Sequence, residues 1–176
     1  GSEMCIRDRY LSVLLRLPKS DSPVTLMPLT VGLSLGDAIL REAGTLGGYI
    51  QLRLKWPNDV LTDKGKLAGV LCESMEDNGE WVLVCGIGVN IHILPASLQE
   101  HIRADITSLF EECDLPWTRY GLVRSFLRQL EIRVDQWQKR PETIRYLWLE
   151  MAGMVGQNIT VKTAHGEVAG EVLGLD

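Results

Sequence analysis

The sequence predicts an α+β fold that ends in a small β domain. Asn78-Gly79 stands between two apolar runs, which is a strong short-range signal for a β-hairpin. Apolar residues recur with a helical period over residues 24–43 and 118–139. After Gly156 the period changes to that of strands, which indicates that a separate β domain begins near residue 155.

The N-terminal elements follow from local patterns. Residues 10–17 are apolar and strand-like, and a loop with two prolines follows them. A helix is predicted over residues 24–43, and its regular part starts near Pro28 because proline and glycine weaken the first turns. Apolar and polar residues alternate over residues 51–56, which predicts a strand that Pro57 ends.

The Asn78-Gly79 turn also predicts the register of the hairpin. Counting outward from a two-residue turn pairs Cys72 with Cys85, so that two thiols face each other. The same count brings three glycines together on the opposite face; we call them the glycine floor, and they are Gly69, Gly86 and Gly88. Glycines inside strands often mark the close approach of a ligand, and a bulge or tight helix packing is the alternative.

The second half of the chain is predicted to be mainly helical. A loop with a short helical turn is expected over residues 91–104, and a short helix capped by Asp105 is expected to end near residue 113. Thr118 caps a longer helix that runs to about Lys139. Its predicted buried stripe consists of Val123, Phe126, Leu127, Leu130, Val134 and Trp137.

The last elements define the predicted domain organisation. Pro141 opens a final helix over residues 142–151, and strands over 158–163 and 167–173 flank a turn. The sequence therefore divides into an unassigned head, a main domain and the start of a small β domain, with bounds 1–9, 10–154 and 155–176.

Composition excludes several classes of function. The net charge is −5 without any basic block, so a nucleic-acid partner is not expected. No apolar run is read as long enough for a membrane helix, so no membrane partner is expected. Four cysteines and three histidines lack the spacing of metal ligands, which predicts no metal site and a reduced, cytoplasmic protein.

Two polar residues are candidates for ligand contacts. Lys55 ends its strand on the face opposite Leu52 and Leu54, where a positive charge can be aimed at a ligand. Asn90 lies at the rim of the glycine floor and offers both a donor and an acceptor, which suits the edge of a purine. The alternatives are a solvated lysine and a turn-forming asparagine.

These features together make the chain resemble the biotin protein ligases. The resemblance rests on three blocks in the same order and spacing: Arg53-Leu54-Lys55-Trp56-Pro57-Asn58-Asp59-Val60, Gly65-Lys66-Leu67-Ala68-Gly69-Val70-Leu71-Cys72-Glu73 and Gly86-Ile87-Gly88-Val89-Asn90-Ile91. It implies a mixed sheet flanked by helices, like that of class II aminoacyl-tRNA synthetases, followed by an SH3-like barrel that is truncated here.

The resemblance also implies a reaction and roles for individual residues. Biotin and ATP with Mg²⁺ would form biotinyl-5′-AMP, and a lysine of the biotin carboxyl carrier domain of acetyl-CoA carboxylase would accept the biotin. Lys55 would lie beside the biotin carboxylate and the phosphate, Val60 would add an apolar wall, and Asn90 would contact the adenine. Gly69, Gly86 and Gly88 would let the flat ligand approach the sheet, and a homodimer is compatible with the family.

The chain departs from the family pattern in one respect. No Gly/Arg-rich loop precedes residues 10–17, and no helix-turn-helix segment supports a repressor role, so weak or no activity is expected of this chain alone. A lipoate–protein ligase and a non-catalytic remnant that serves oligomerisation are the alternatives. Trp56-Pro57-Asn58-Asp59 and the hairpin after residue 156 favour biotin.

Overall fold

A computed structural model describes residues 9–92, 105–163 and 166–175, with backbone alone at Arg9, Tyr10 and Lys162. Three sequence predictions lie outside these residues: the head before residue 9, the helical turn within 93–104 and the tip of the last hairpin at 164–165.

Five strands form the main sheet, in the order β1-β5-β4-β3-β2. They are β1 (Arg9–Pro18), β2 (Arg53–Lys55), β3 (Asp59–Leu61), β4 (Lys66–Asp77) and β5 (Glu80–Val89). All four ladders between them are antiparallel. Of the mixed sheet implied by the resemblance, the described residues contain a single parallel pairing, the isolated bridge between Lys66 and Ile106.

The predicted hairpin is confirmed in both turn and register. Asn78 and Gly79 have φ angles of 51° and 81°, as a type I′ turn requires. Cys72 pairs with Cys85 and Gly69 with Gly88, as counted from the sequence. The strands around Pro57 differ from the prediction, because β2 is only three residues long and the expected turn at Asn58-Asp59 leads directly into β3.

In the described residues, four α-helices accompany the sheet: α1 (Met27–Thr45), α2 (Leu109–Glu112), α3 (Arg119–Lys139) and α4 (Pro141–Ala152). A 3₁₀ turn over Val24–Leu26 precedes α1, so the regular helix begins beside Pro28 as predicted. The predicted cap of α2 was wrong: Ser108 accepts from the Glu111 N–H. Asp105 lies before the helix, and its carbonyl accepts from the Lys66 N–H.

Thr118 caps α3 as predicted, since its side chain accepts from the Gly121 N–H. Half of the predicted stripe is buried, with Phe126, Leu130 and Trp137 at 3% exposure or less, and Val123 and Val134 are partly buried. Leu127 was assigned wrongly and is 45% exposed. It follows Phe126 by one position, about 100° around the helix, and therefore turns away from the buried face.

The segment Val24–Thr45 corrects one further expectation. It is long and apolar enough to cross a membrane by length and composition, although no such run was read from the sequence. Two thirds of its apolar window (67%) is buried against the rest of the fold, as in the core helix of a globular domain. The segment is thus weak evidence for a membrane span.

The C-terminal strands form a separate two-stranded sheet. β6 (Asn158–Thr163) matches its predicted bounds, and β7 (Gly166–Glu171) ends two residues earlier than predicted. These two strands are all that the described residues contain of the SH3-like barrel implied by the resemblance.

Candidate ligand site

The glycine floor lies on the open face of the main sheet. The opposite face packs against the helices and buries Leu83, Cys85 and Ile87 of β5. On the open face a depression of about 550 Å³ extends over the three glycines. Side chains or backbone of Ser12, Asn58, Lys66, Leu71 and Asn90 surround it. The structure therefore brings four predicted site residues, Gly69, Gly86, Gly88 and Asn90, to one concave surface.

One row of paired residues crosses the sheet through the floor. Lys55 on β2 pairs with Asp59 on β3, Asp59 with Gly69 on β4, and Gly69 with Gly88 on β5. Directly paired residues point to the same face. Lys55 thus belongs to the face of the floor, but it is exposed, does not line the depression, and forms no ion pair within the described part of the chain.

The cation that reaches the floor is Lys66. Its Nζ lies 2.5 Å from Asp59 Oδ1, and the two side chains are 41% and 22% exposed. A Cβ added to Gly69 would lie 3.3 Å from the same Nζ, so the ammonium group lies directly over the floor. A fixed ammonium with a carboxylate partner at the edge of a concave surface is suited to hold an anionic group of a ligand.

Sequence reasoning missed Lys66 because strict alternation places it on the buried face. Lys66 is three residues before Gly69, and residues at odd spacing point to opposite faces of a regular strand. The pairing of β3 with β4 contains a bulge: Val60 pairs with Ala68 but Leu61 pairs with Lys66, which leaves Leu67 as an extra residue. The bulge turns the Lys66 side chain onto the open face.

Two asparagines fix the rim of the depression. Asn58 Nδ2 donates to the Val70 carbonyl at 2.8 Å, which ties the turn after β2 to β4. Asn90 Nδ2 donates to the carbonyls of Lys66 and Thr107 at 3.3 and 3.1 Å. The Asn90 amide nitrogen is therefore engaged by backbone, and its acceptor oxygen is the atom left for a ligand donor.

Val60, a further predicted site residue, lies on the opposite side of the sheet from the floor. It pairs with Leu54 and Ala68, and this row faces the helices. Val60 is fully buried, at 0% exposure. Its place in the structure is in the core beneath the sheet.

A larger groove elsewhere has an almost entirely apolar lining. It measures about 780 Å³ and lies between Trp56, Trp148 and the β6–β7 hairpin. Its lining is apolar apart from Glu171 and the two indole groups. The glycine floor, with its ammonium, carboxylate and amide groups, is therefore the better candidate for chemistry. Within residues 9–92, 105–163 and 166–175 no cluster of His, Cys, Asp or Glu could hold a metal ion.

Comparison with known proteins identifies relatives for this arrangement. Residues 7–90, which include the whole floor, match the Biotin/lipoate A/B protein ligase family. The bifunctional ligase/repressor BirA of Bacillus subtilis is 28% identical over 171 residues, covering 95% of this chain and 50% of that protein. The biotin–acetyl-CoA-carboxylase ligase of Paracoccus denitrificans is 32% identical, covering 85% of this chain and 62% of that protein.

Solved structures agree with the sequence matches. The apo structure of biotin protein ligase from Aquifex aeolicus superposes with a TM-score of 0.75 and 26% identity, over 97% of this chain and 72% of that one. A structure of the same protein with biotin and ATP has the same fold, at a TM-score of 0.73 over 97% of this chain and 68% of that one, with 24% identity. The chain spans about half the length of the first curated relatives it matches, at 50% of the B. subtilis protein.

Proposed function

We propose, from its similarity in sequence and fold to biotin protein ligases, that the protein containing this chain attaches biotin to a lysine of a carrier domain. The observation that carries the proposal is the ammonium group of Lys66 over a floor without side chains. A flat ligand can lie on the glycines while its carboxylate meets the ammonium.

The reaction has two steps. A carboxylate oxygen of biotin attacks the α-phosphorus of ATP, which enters with Mg²⁺, and pyrophosphate leaves. The amine of the carrier lysine then attacks the acyl carbon of biotinyl-5′-AMP, AMP leaves, and the amine loses a proton as the amide forms. The attacking carboxylate and the phosphate are both negative, so a preorganised cation between them lowers the barrier of the first step.

We assign this cation to Lys66, whereas the resemblance to the biotin protein ligases gave the role to Lys55. Lys66 lies over the floor and is fixed by Asp59, while Lys55 is exposed at the far end of the same row. Lys55 is the alternative that the experiment below tests, and the contact of Asn90 with adenine remains a prediction. The Asn90 oxygen would accept from the exocyclic amine of the adenine, because its nitrogen already donates to backbone.

The test compares Lys66→Ala with Lys55→Ala in the natural full-length protein. Removal of a preorganised charged group typically costs about 10²–10³ in rate, and we expect Lys66→Ala to slow biotin-dependent pyrophosphate release by that factor. Lys55→Ala is the matched control and should stay within about threefold of the wild type, since it contacts no described ion partner. If Lys55→Ala slowed pyrophosphate release and Lys66→Ala did not, Lys55 would be the cation that stabilises the first step.

The finer parts of the proposal concern partners. We propose the biotin carboxyl carrier domain of acetyl-CoA carboxylase as the acceptor, on the basis of the name of the Paracoccus relative. The proposed cytoplasmic location rests on the cysteine pattern of the sequence. The same assay with lipoate in place of biotin tests the alternative within the family. Lipoyl transfer without biotinyl transfer would overturn the proposal.

A further inference from the structure

A half-buried carboxylate, that of Glu112, lies outside the lining of the glycine floor. Glu112 Oε1 accepts hydrogen bonds from the hydroxyl groups of Thr62, at 2.9 Å, and Thr107, at 2.6 Å. Both threonines are almost fully buried, at 3% and 2% exposure. One carboxylate oxygen therefore joins the turn that follows β3 to the segment that precedes α2.

The two joined segments flank Lys66. Thr62 begins the tight turn that leads into Lys66, and its N–H donates to the Gly65 carbonyl at 2.9 Å. On the other side, the Lys66 N–H donates to the Asp105 carbonyl at 2.8 Å and the Thr107 N–H donates to the Lys66 carbonyl at 3.0 Å. The backbone of Lys66 is thus held between the two threonines.

Asn90 depends on the same backbone. Its side-chain amide donates to the carbonyls of Lys66 and Thr107, and its own carbonyl accepts from the Leu109 N–H at 2.9 Å. A displacement of the segment around Thr107 would therefore move the cation and the amide of the floor together.

We propose that Glu112 is a positioning residue, which holds Thr62 and Thr107 at the distance that presents Lys66 and Asn90 to the ligand. This inference rests on the proposed function only for the identity of the ligand that Lys66 and Asn90 contact. Without the carboxylate, the buried Thr107 hydroxyl loses its acceptor and the buried Thr62 hydroxyl keeps only the distant Gly65 carbonyl, at 3.5 Å. Buried hydroxyl groups are costly to leave unpaired. The structure then relaxes by separating the two segments, and the floor loses its fixed rim.

The experiment uses Glu112→Ala and Glu112→Gln in the natural full-length protein. Glutamine keeps an oxygen that accepts from both threonines, so the KM for ATP should stay within about twofold of the wild type. Alanine removes the acceptor and should raise the KM for ATP about tenfold, in the range expected for one lost buried hydrogen bond. Thr118→Ala, which removes the cap of α3, is the control for general destabilisation and should leave KM unchanged.

A second readout does not depend on activity. Glu112→Ala should speed hydrogen exchange of the Lys66 and Thr107 amides about tenfold, while the amides of the β4–β5 ladder keep their protection. Unchanged exchange at these two amides would overturn the inference, as would a glutamine variant as impaired as the alanine variant. If the wild type shows no biotin-dependent turnover, the proposed function fails while the exchange result still decides the role of Glu112.

Discussion

A methyl group added to the glycine floor should make the protein more stable and its ligand site weaker. Gly86 is the position for this test, because a Cβ there would meet only the Leu71 carbonyl oxygen, at 3.8 Å. Gly86 also lies outside the positive-φ region, so alanine can take up the native backbone without strain. The methyl group would project into the depression of about 550 Å³ above the floor.

Gly86→Ala should raise the stability of the fold and lower the affinity for biotin. Replacing a glycine whose backbone suits alanine stabilises a protein by about 0.4–1 kcal/mol. At about 2–4 °C per kcal/mol for a chain of this size, Tm should rise by roughly 1–4 °C. Overpacking of a fitted surface costs about 1–3 kcal/mol, which corresponds to a Kd for biotin raised roughly 5- to 150-fold.

The assay measures Tm by scanning calorimetry and the Kd for biotin by titration calorimetry in the natural full-length protein. Gly170→Ala is the matched control, since it is also a strand glycine and a Cβ there meets nothing within 4 Å. The control should leave the biotin Kd unchanged. Wild-type affinity in Gly86→Ala would refute the idea that the ligand lies on the floor, and a lowered Tm would refute the open geometry at this position.

Two further predictions concern the fold. In α1, Gly32→Ala should raise Tm by about 1–4 °C because its methyl meets nothing within 4 Å, whereas Gly36→Ala should lower Tm because its methyl would lie 2.6 Å from Met151 Sδ. Cys72 pairs with Cys85 across the β4–β5 ladder, and hydrogen bonding with the Cys85 thiol together with partial burial raises the pKa of the Cys72 thiol above its ordinary value of 9.0. Above about pH 9 the folded protein therefore keeps this proton while the unfolded chain loses it. Because the folded state then binds more protons than the unfolded state, the free energy of unfolding should fall as the pH rises. Urea midpoints between about pH 7 and 10.5 should show a shallower fall in Cys72→Ala.

Much of the fold could be predicted because its signals are local. The Asn78-Gly79 turn has a backbone that few other dipeptides adopt, and it alone predicts every pair in the β4–β5 ladder. Thr118 and Pro141 mark helix starts through their own hydrogen-bonding and φ preferences. The short strand β3 was missed, since its three residues carry no pattern of their own and form a strand only by pairing with β2 and β4.

For the candidate site, the sequence by itself determined the glycine floor, because a strand's faces follow from counting residues outward from a turn. Only the tertiary structure decided which lysine reaches that floor. The bulge opposite Leu61 shifts the count by one residue and turns Lys66 onto the open face. A bulge arises from pairing between strands, and the bonds of Thr62 and Thr107 with Glu112 join segments about 50 residues apart in sequence. Such long-range contacts leave no periodic signal in the sequence, which is why they appear only in the folded chain.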